Sequence, residues 1–309
     1  MTTTLVTGGN GFIGRATVTE LLRHGRNVVV LDPNGKPPVD GATVYLGDIR
    51  DDVAVTEAMA HADSWIHLGG VLGTQETIFN PRPAAYTNVL GGLNVLEAAS
   101  QYDLPGINIA VGNWWMNNTY SITKNTVERF AEMFRDERGT KVTTVRGLNV
   151  YGPGQSVAAP FGVSKVRKIM PAFICRALTG QPIEVYGDGE QIMDMIYIDD
   201  IAKTLVRALF ATEENGGYPE AIEAGNGLDT NVLQIAKEVQ AAVEELTGST
   251  VAIKHLPMRP GEVPGAVVKA DTSTLTQIGV NHSNFVTLDQ GIHNTVLHFM
   301  DNWLPGYKA

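Results

Sequence analysis

Apolar and polar positions follow two rhythms along the first half of this chain. Residues 4–6 are a short apolar run without polar alternation, the pattern of a strand buried on both faces. Glycines at 8, 11 and 14 then lead into a helix over about residues 12–24, amphipathic across 16–23 and closed by the turn at Gly25. NVVVLD follows as a second buried strand ending at Asp32. The rhythm repeats through TVYLGD (43–48), a helix from about 52 to 60, SWIHLGG (64–70) and a long helix from about 83 to 101. It closes with the strand INIAVG and a helix from Tyr120 through TVERFAEMF. Such alternation predicts an α/β fold built on a doubly wound parallel sheet.

The three glycines have separate tasks. One permits a tight turn, one lets backbone N–H groups approach phosphate oxygens, and one lets helix and strand pack closely; the helix N-terminus adds partial positive charge. Their spacing is G-x-x-G-x-x-G rather than G-x-G-x-x-G, so they need the rest of a βαβ unit beside them, and the strand ending at Asp32 supplies it. A carboxylate at that strand end accepts hydrogen bonds from a ribose 2′-OH and repels a 2′-phosphate, which points to NAD rather than NADP. The competing reading of Asp32 is a turn former before Pro33. In doubly wound sheets ligands gather at the carboxyl ends of the strands, where Gly8, Asp32, Asp48, Gly69 and Gly70 all fall. Asp48 and Ile49 are placed to hold the adenine edge and face. His67, inside an apolar strand, reads as a core histidine satisfied by backbone.

Composition narrows the class. With 309 residues and 43% hydrophobic content, the chain can bury a full core in roughly two structural units. A formal net charge of −10 and no basic stripe argue against nucleic acid or an anionic membrane surface as partner, so an anionic substrate must meet local cations. No apolar run reaches the ~20 residues that span a bilayer. The single cysteine, Cys175, forms no intramolecular disulfide and the N-terminus enters a strand at once, which predicts a cytoplasmic protein. The seven histidines are scattered, so no metal site is expected, and there is no G-x-S-x-G elbow.

The second chemical signal is Tyr120-Ser-Ile-Thr-Lys124. An i, i+4 spacing on a helix puts phenol and ammonium on one face, where the cation favours the phenolate and brings a group of pKa near ~10 toward general-base range. The same lysine can hold the nicotinamide ribose.

Together these segments resemble an extended short-chain dehydrogenase/reductase of the nucleotide-sugar epimerase and dehydratase branch, similar to UDP-galactose 4-epimerases. The likeness runs through TGGNGFIG, Asp32, Asp48-Ile49, HLGG, NVLGGLNVLEAA from Asn88, Tyr120 with Lys124, RGLNVYGPGQ from Arg146, IEVYGDGEQIMDMIYIDD and Arg259-Pro-Gly-Glu262. It implies that Gly8, Gly11, Phe12, Ile13 and Gly14 hold the cofactor pyrophosphate and that Leu68, Gly69, Gly70 and Asn88 line the cofactor. It also implies that Tyr120 is the acid/base, that Asn149 binds the substrate diphosphate, and that Tyr186 and Arg259 lie near the nucleotide base and phosphates. Residues 1–155 become an NAD-binding domain and 156–309 mainly a smaller α/β substrate-binding cap. The chain returns to the sheet near 194–212, and the cap is built from about 156–190 and 217–309. The helices near 83–101 and 120–137 are the dimer face of such proteins, which predicts a homodimer.

The chain departs from that pattern in two places. Where the family carries a Ser or Thr after the fifth strand, INIAVG runs into Asn113-Trp114-Trp115, in a short loop without the carboxylates of dehydratases and decarboxylases. Asn113 is the expected stand-in, by its amide, with Thr119 the nearest hydroxyl. Trp114 and Trp115 either stack on a sugar or nicotinamide face or pack the shortened loop. Met193 replaces a phosphate-clamping arginine, and a thioether cannot donate a hydrogen bond. Either Lys165, Arg167 and Lys168 compensate or the substrate is not an ordinary nucleotide diphosphate sugar; a solvated helix face is the plainer account of that cluster. Asp199 and Asp200 read as a cap of the helix IAKTLVRALF. The expected activity is an NAD-dependent nucleotide-sugar epimerase working through a transient keto-sugar. The alternatives are a net sugar or polyol dehydrogenase/reductase and a dinucleotide-binding regulator that has lost turnover.

Overall fold

The computed structural model describes residues 2–307. Its strands are β1 (Thr3–Thr7), β2 (Asn27–Asp32), β3 (Thr43–Leu46), β4 (Ser64–His67), β5 (Gly106–Val111), β6 (Val142–Gly147), β7 (Asn149–Tyr151), β8 (Ile183–Tyr186), β9 (Ile192–Met193), β10 (Met195–Tyr197), β11 (Ile222–Ala224), β12 (Ile253–Leu256) and β13 (Val267–Val268). Seven of them form one parallel sheet in the order β11-β6-β5-β4-β1-β2-β3. The order reverses between β1 and β4, which opens a crevice at their carboxyl ends.

Helices α1 (Phe12–Arg23), α2 (Asp52–Met59), α3 (Thr74–Phe79), α4 (Pro81–Ala84), α5 (Gly91–Gln101), α6 (Thr119–Arg138), α7 (Ile169–Leu178), α8 (Ile198–Asn215), α9 (Val232–Thr247) and α10 (Leu288–Asn302) complete the chain. Strand alternation sorts the sheet's side chains between two layers. Val6, Val28, Val30, Ile66, Ile107 and Val145 are buried with Val18 and Leu21 of α1 and Ile201, Leu205 and Leu209 of α8. On the other face Leu5, Leu31, Trp65 and Val142 meet Val55 and Met59 of α2, Val95 and Leu96 of α5, and Val127, Ala131 and Phe134 of α6. The first of these cores runs on without a break into Phe173 and Ile174 of α7, Val185, Ile235 and Val239 of α9, and Ile292 and Phe299 of α10.

Three details differ from expectation. The seventh strand of the sheet, β11, comes from the stretch assigned to the cap; three residues between a Pro-Glu turn and Gly225 carry too little periodicity to announce a strand. The long helix near 83–101 is α4 and α5 joined by a π-helical stretch, Ala85–Leu90, that contains Asn88. Asp199 and Asp200 lie in the first turn of α8, whose N-cap is Tyr197 with no side-chain cap, and the buried Asp200 carboxylate accepts the Val286 N–H at 2.8 Å.

Where β4 and β5 pair, Gly106 makes room for the buried indole of Trp65: a Cβ there would lie 2.2 Å from the ring. Gly106→Ala is expected to cost about 2 kcal/mol and to lower the thermal midpoint by roughly 4 °C, read by circular dichroism. An unchanged midpoint would show that Trp65 yields without cost.

Candidate active site

At the carboxyl ends of the central strands lies a cavity of about 610 Å³, walled by the glycine turn, the strand ends and the β8–β9 region. Its cofactor end is built on backbone. Gly8 has φ +71° and faces the opposite strand end so closely that a Cβ would lie 2.8 Å from the Gly69 N, while one on Gly14 would lie 2.2 Å from the Gly8 O. No side chain caps α1, whose N-cap is Gly11, so its first-turn N–H groups are left for a ligand; Gly11, Phe12, Ile13 and Gly14 all line the cavity. A pyrophosphate fits that cradle of uncapped amides beside a glycine surface.

Asp32 lines the same end and acts as the turn former that the sequence offered as one of its two roles. Its carboxylate oxygens accept the Asn34 N–H at 2.8 Å, closing the turn, and the Asn10 N–H at 3.1 Å, bracing the glycine loop. Each oxygen keeps a lone pair for a ribose hydroxyl.

Tyr120 and Lys124 both reach the cavity from the first turns of α6, which Asn118 caps by accepting the Ser121 N–H at 3.0 Å. Desolvation governs both groups. Burial pushes the Tyr120 phenol up to about 12 and the Lys124 ammonium down to about 8, with the Glu128 carboxylate acting against the latter shift. The expected lowering of the phenol by its lysine is therefore not seen in the free protein, because burial penalises phenolate and ammonium alike.

The opposite end of the cavity is lined by Asn113, Met116, Leu148, Asn149, Tyr186, Met193, Val268 and Arg259. Met116, Leu148, Ala266 and Val268 make a separate buried apolar cluster beneath the short loop before Tyr120. The Asn113 amide lies 3.5 Å from the Met116 Sδ, and the Asn149 Nδ2 donates to the Asp194 carbonyl at 3.0 Å. Arg167 and Lys168 also lie on this wall, immediately before α7, so for these two the solvated-face reading is corrected; Lys165 is exposed and off the wall. Most of the positive charge here is already matched. Arg167 pairs with Glu184 at 3.1 Å and donates to the Tyr186 hydroxyl at 2.6 Å, and Arg259 pairs with Glu262 and lies 4.8 Å over the Tyr186 ring.

Several expected residues stand elsewhere. Asp48 is paired with Arg50 at 2.6 Å, which holds its carboxyl below the usual range, and it borders a separate small hollow. Ile49 is buried against Gly91 and Gly69. Leu68 and Gly70 line the cavity, whereas Gly69 packs back to back with Gly8. Asn88 spends its amide on the Val71 N–H at 2.7 Å, the Val71 carbonyl at 3.1 Å and the Thr123 hydroxyl at 2.9 Å, so it tethers the loop after β4 to α6 instead of facing a ligand. His67 is a core residue, but its partner is the Thr7 hydroxyl at 2.7 Å rather than backbone, and burial brings its imidazole down to about 3. Trp114 and Trp115 are partly exposed and off the cavity wall, with the Arg146 guanidinium 5.0 Å over the Trp114 ring.

Residues 71–76 also line the cavity, with Glu76 accepting the Arg167 N–H at 3.3 Å, and sequence reasoning missed them. Their only signal was Gly73, whose φ of +113° turns the loop inward.

The sheet, the glycine cradle and the strand-end carboxylate define a dinucleotide-binding protein. Residues 4–111 and 108–225 match the NAD dependent epimerase/dehydratase family, and the chain belongs to it. It is 27% identical to the UDP-N-acetyl-alpha-D-glucosaminuronate decarboxylase of Bacillus cytotoxicus, covering 96% of this chain and 97% of that one. It is 26% identical to a dTDP-4-dehydro-6-deoxy-D-allose reductase from a Streptomyces species, over 89% and 90%. The UDP-glucose 4-epimerase of Thermus thermophilus, solved as a complex with NAD, superposes with a TM-score of 0.81 at 27% identity, over 97% of this chain and 99% of the other. The chain is accordingly an enzyme of the nucleotide-sugar type with NAD as its cofactor.

If Asp32 selects the cofactor, Asp32→Ala narrows the preference for NAD over NADP by roughly tenfold or more, the loss of one charge-assisted contact and of one repulsion. Titration of both dinucleotides reads this directly, and unchanged discrimination would leave Asp32 with the turn alone.

Proposed function

We propose that this chain is an NAD-dependent nucleotide-sugar epimerase that oxidises and re-reduces one sugar carbinol through a transient keto-sugar. The observation that carries the reading is the position of Tyr120, with Lys124, in a cavity that joins the cofactor cradle to the cap wall. Residues 1–155 hold the cofactor in this reading and 156–309 mainly the substrate. Bound NAD would supply the hydride acceptor, held by the cradle of Gly8, Gly11 and Gly14 with Asp32.

Tyr120 takes the proton from the reacting hydroxyl and returns it on re-reduction. Its high pKa in the free protein keeps the phenol protonated there, so base action depends on the Lys124 cation stabilising the phenolate once substrate and cofactor are bound. Asn113 orients the reacting oxygen in place of a hydroxyl side chain. Asn149, Tyr186 and Arg259 hold the nucleotide diphosphate, joined by Arg167 and Lys168 where Met193 leaves no cation.

Tyr120→Phe should lower turnover by a factor of ~10² to 10⁴ while dinucleotide binding persists. Incubation with UDP- and dTDP-hexoses, followed by proton NMR of the product and by absorbance at 340 nm, separates the possible activities. An inverted carbinol without net NADH supports the epimerase, and steady NADH accumulation with substrate makes the enzyme a net dehydrogenase. Full activity in Tyr120→Phe would overturn the acid/base assignment.

A homodimer fits the same reading. Phe79, Tyr86, Leu90 and Ile122 are exposed apolar side chains on α3, the π-helical stretch and α6. Sedimentation at micromolar concentration is expected to give a dimer, and a monomer there would count against it. A cytoplasmic location is inferred from the lone, buried and unpaired Cys175. No helix among the described residues is long and apolar enough to cross a membrane.

A further inference from the structure

Glu128 is a buried carboxylate that the proposed chemistry leaves without a task. It follows Tyr120 and Lys124 on α6 at i+8 and i+4, so the three share one helical face. Only 1% of the residue is exposed. Its Oε1 accepts from the Arg146 Nε at 2.9 Å and Nη2 at 2.5 Å, and Arg146 Nη1 donates to Glu223 at 2.8 Å. The second carboxylate oxygen, Oε2, is buried and has no hydrogen-bond partner among the described residues. Arg146 would keep an anionic partner in Glu223 without it. A half-satisfied buried carboxylate is costly unless a charge nearby requires it.

The groups around Lys124 identify that charge. Tyr120 is a neutral phenol, and His67, which faces Lys124 from β4, is a neutral imidazole bonded to Thr7. Behind Glu128 stand Arg146 on β6 and Glu223 on β11, a pair that balances itself. Burial raises the Glu128 carboxyl and the Arg146 guanidinium bonded to it acts the other way, so that clamp is what favours the anion whose field in turn favours the buried ammonium.

We propose that Glu128 is the positioning residue that keeps Lys124 protonated between itself and Tyr120 on α6, with Arg146 clamping its carboxylate from behind. The inference rests on the acid/base reading of Tyr120 and Lys124. The Trp114 ring, packed on the Arg146 guanidinium, ties the same row of charges to the loop that carries Asn113.

The test needs no substrate. In protein labelled with [13Cε]lysine, the Lys124 resonance is the one lost in Lys124→Arg, and its titration midpoint in the wild type is expected near 8. Glu128→Gln keeps an acceptor for Arg146 but removes the charge. The neutral amine is then favoured, and the midpoint should fall by at least one pH unit, a tenfold loss in proton affinity. Glu128→Asp, which retracts the same charge by one carbon, should shift it part of the way and keeps the question open to measurement if Glu128→Gln does not fold. Glu223→Gln, a charge further along the row, should leave it in place. An unmoved Lys124 midpoint in the Glu128 variants, or an equal shift in Glu223→Gln, overturns the proposal. With an active substrate, the alkaline limb of the pH–rate profile should move to lower pH in Glu128→Gln. Failure of the acid/base reading is recognised separately, by full activity in Tyr120→Phe with the Lys124 midpoint still shifted in Glu128→Gln.

Discussion

The arrangement of this molecule depends on one close approach of backbone to backbone, Gly8 against Gly69, at the point where the strand order reverses. A side chain at Gly8 would meet the Gly69 backbone and wedge the end of β1 from that of β4, closing the crevice that the reversed order opens. The same absence of side chains continues at Gly11 and Gly14, so the start of α1 meets a ligand as bare peptide. Everything downstream is placed relative to this seam: Asp32 at the next strand end, the loop after β4 that Asn88 ties to α6, and Tyr120 and Lys124 on α6 itself.

Desolvation is the second determinant, and it acts against the simplest view of a tyrosine–lysine pair. A lysine stabilises a phenolate only if it remains charged, and the burial that strengthens their attraction also makes that charge expensive. Raised Tyr120, lowered Lys124 and lowered His67 are three results of one dry environment. Such a site needs an anion that is itself fixed and dry, and α6 carries one two turns beyond the tyrosine.

Much of this was legible in the sequence where a residue's surroundings are set by its neighbours along the chain. The buried strands, the glycine turn, the Tyr120–Lys124 spacing and the dinucleotide crevice all follow from local pattern, and the structure bears out the parallel doubly wound sheet. What escaped depends on distant segments. Asn88 looked like a ligand contact because its type and position suit one, but its amide is consumed by Val71 and Thr123, and a sequence does not show which hydrogen bonds are already made. Asp48 was drawn away by Arg50 only two residues on. Arg167 and Lys168 looked like solvated charge, since nothing nearby in sequence announces that Glu76 and Glu184 wait across the cleft.

The cap wall shows why the family is clearer than the reaction. A dinucleotide cradle is built from backbone, and its geometry tolerates few substitutions. The opposite end of the cavity is built from side chains, and here they form two unlike surfaces: paired cations beside Tyr186, and an apolar floor of Met116, Leu148 and Val268. A sugar hydroxyl turned toward that floor would lose its water without gaining a partner, whereas one turned toward Asn113 or Tyr120 would keep a hydrogen bond. Because Arg167 and Arg259 already have carboxylate partners, an incoming diphosphate would compete with Glu184 and Glu262 or bind at Lys168, which makes no salt bridge among the described residues and feels the Glu76 carboxylate only through its field. What this end offers a ligand is therefore the difference between an apolar floor and a self-neutralised cationic rim, a contrast of desolvation costs more than a count of positive charges.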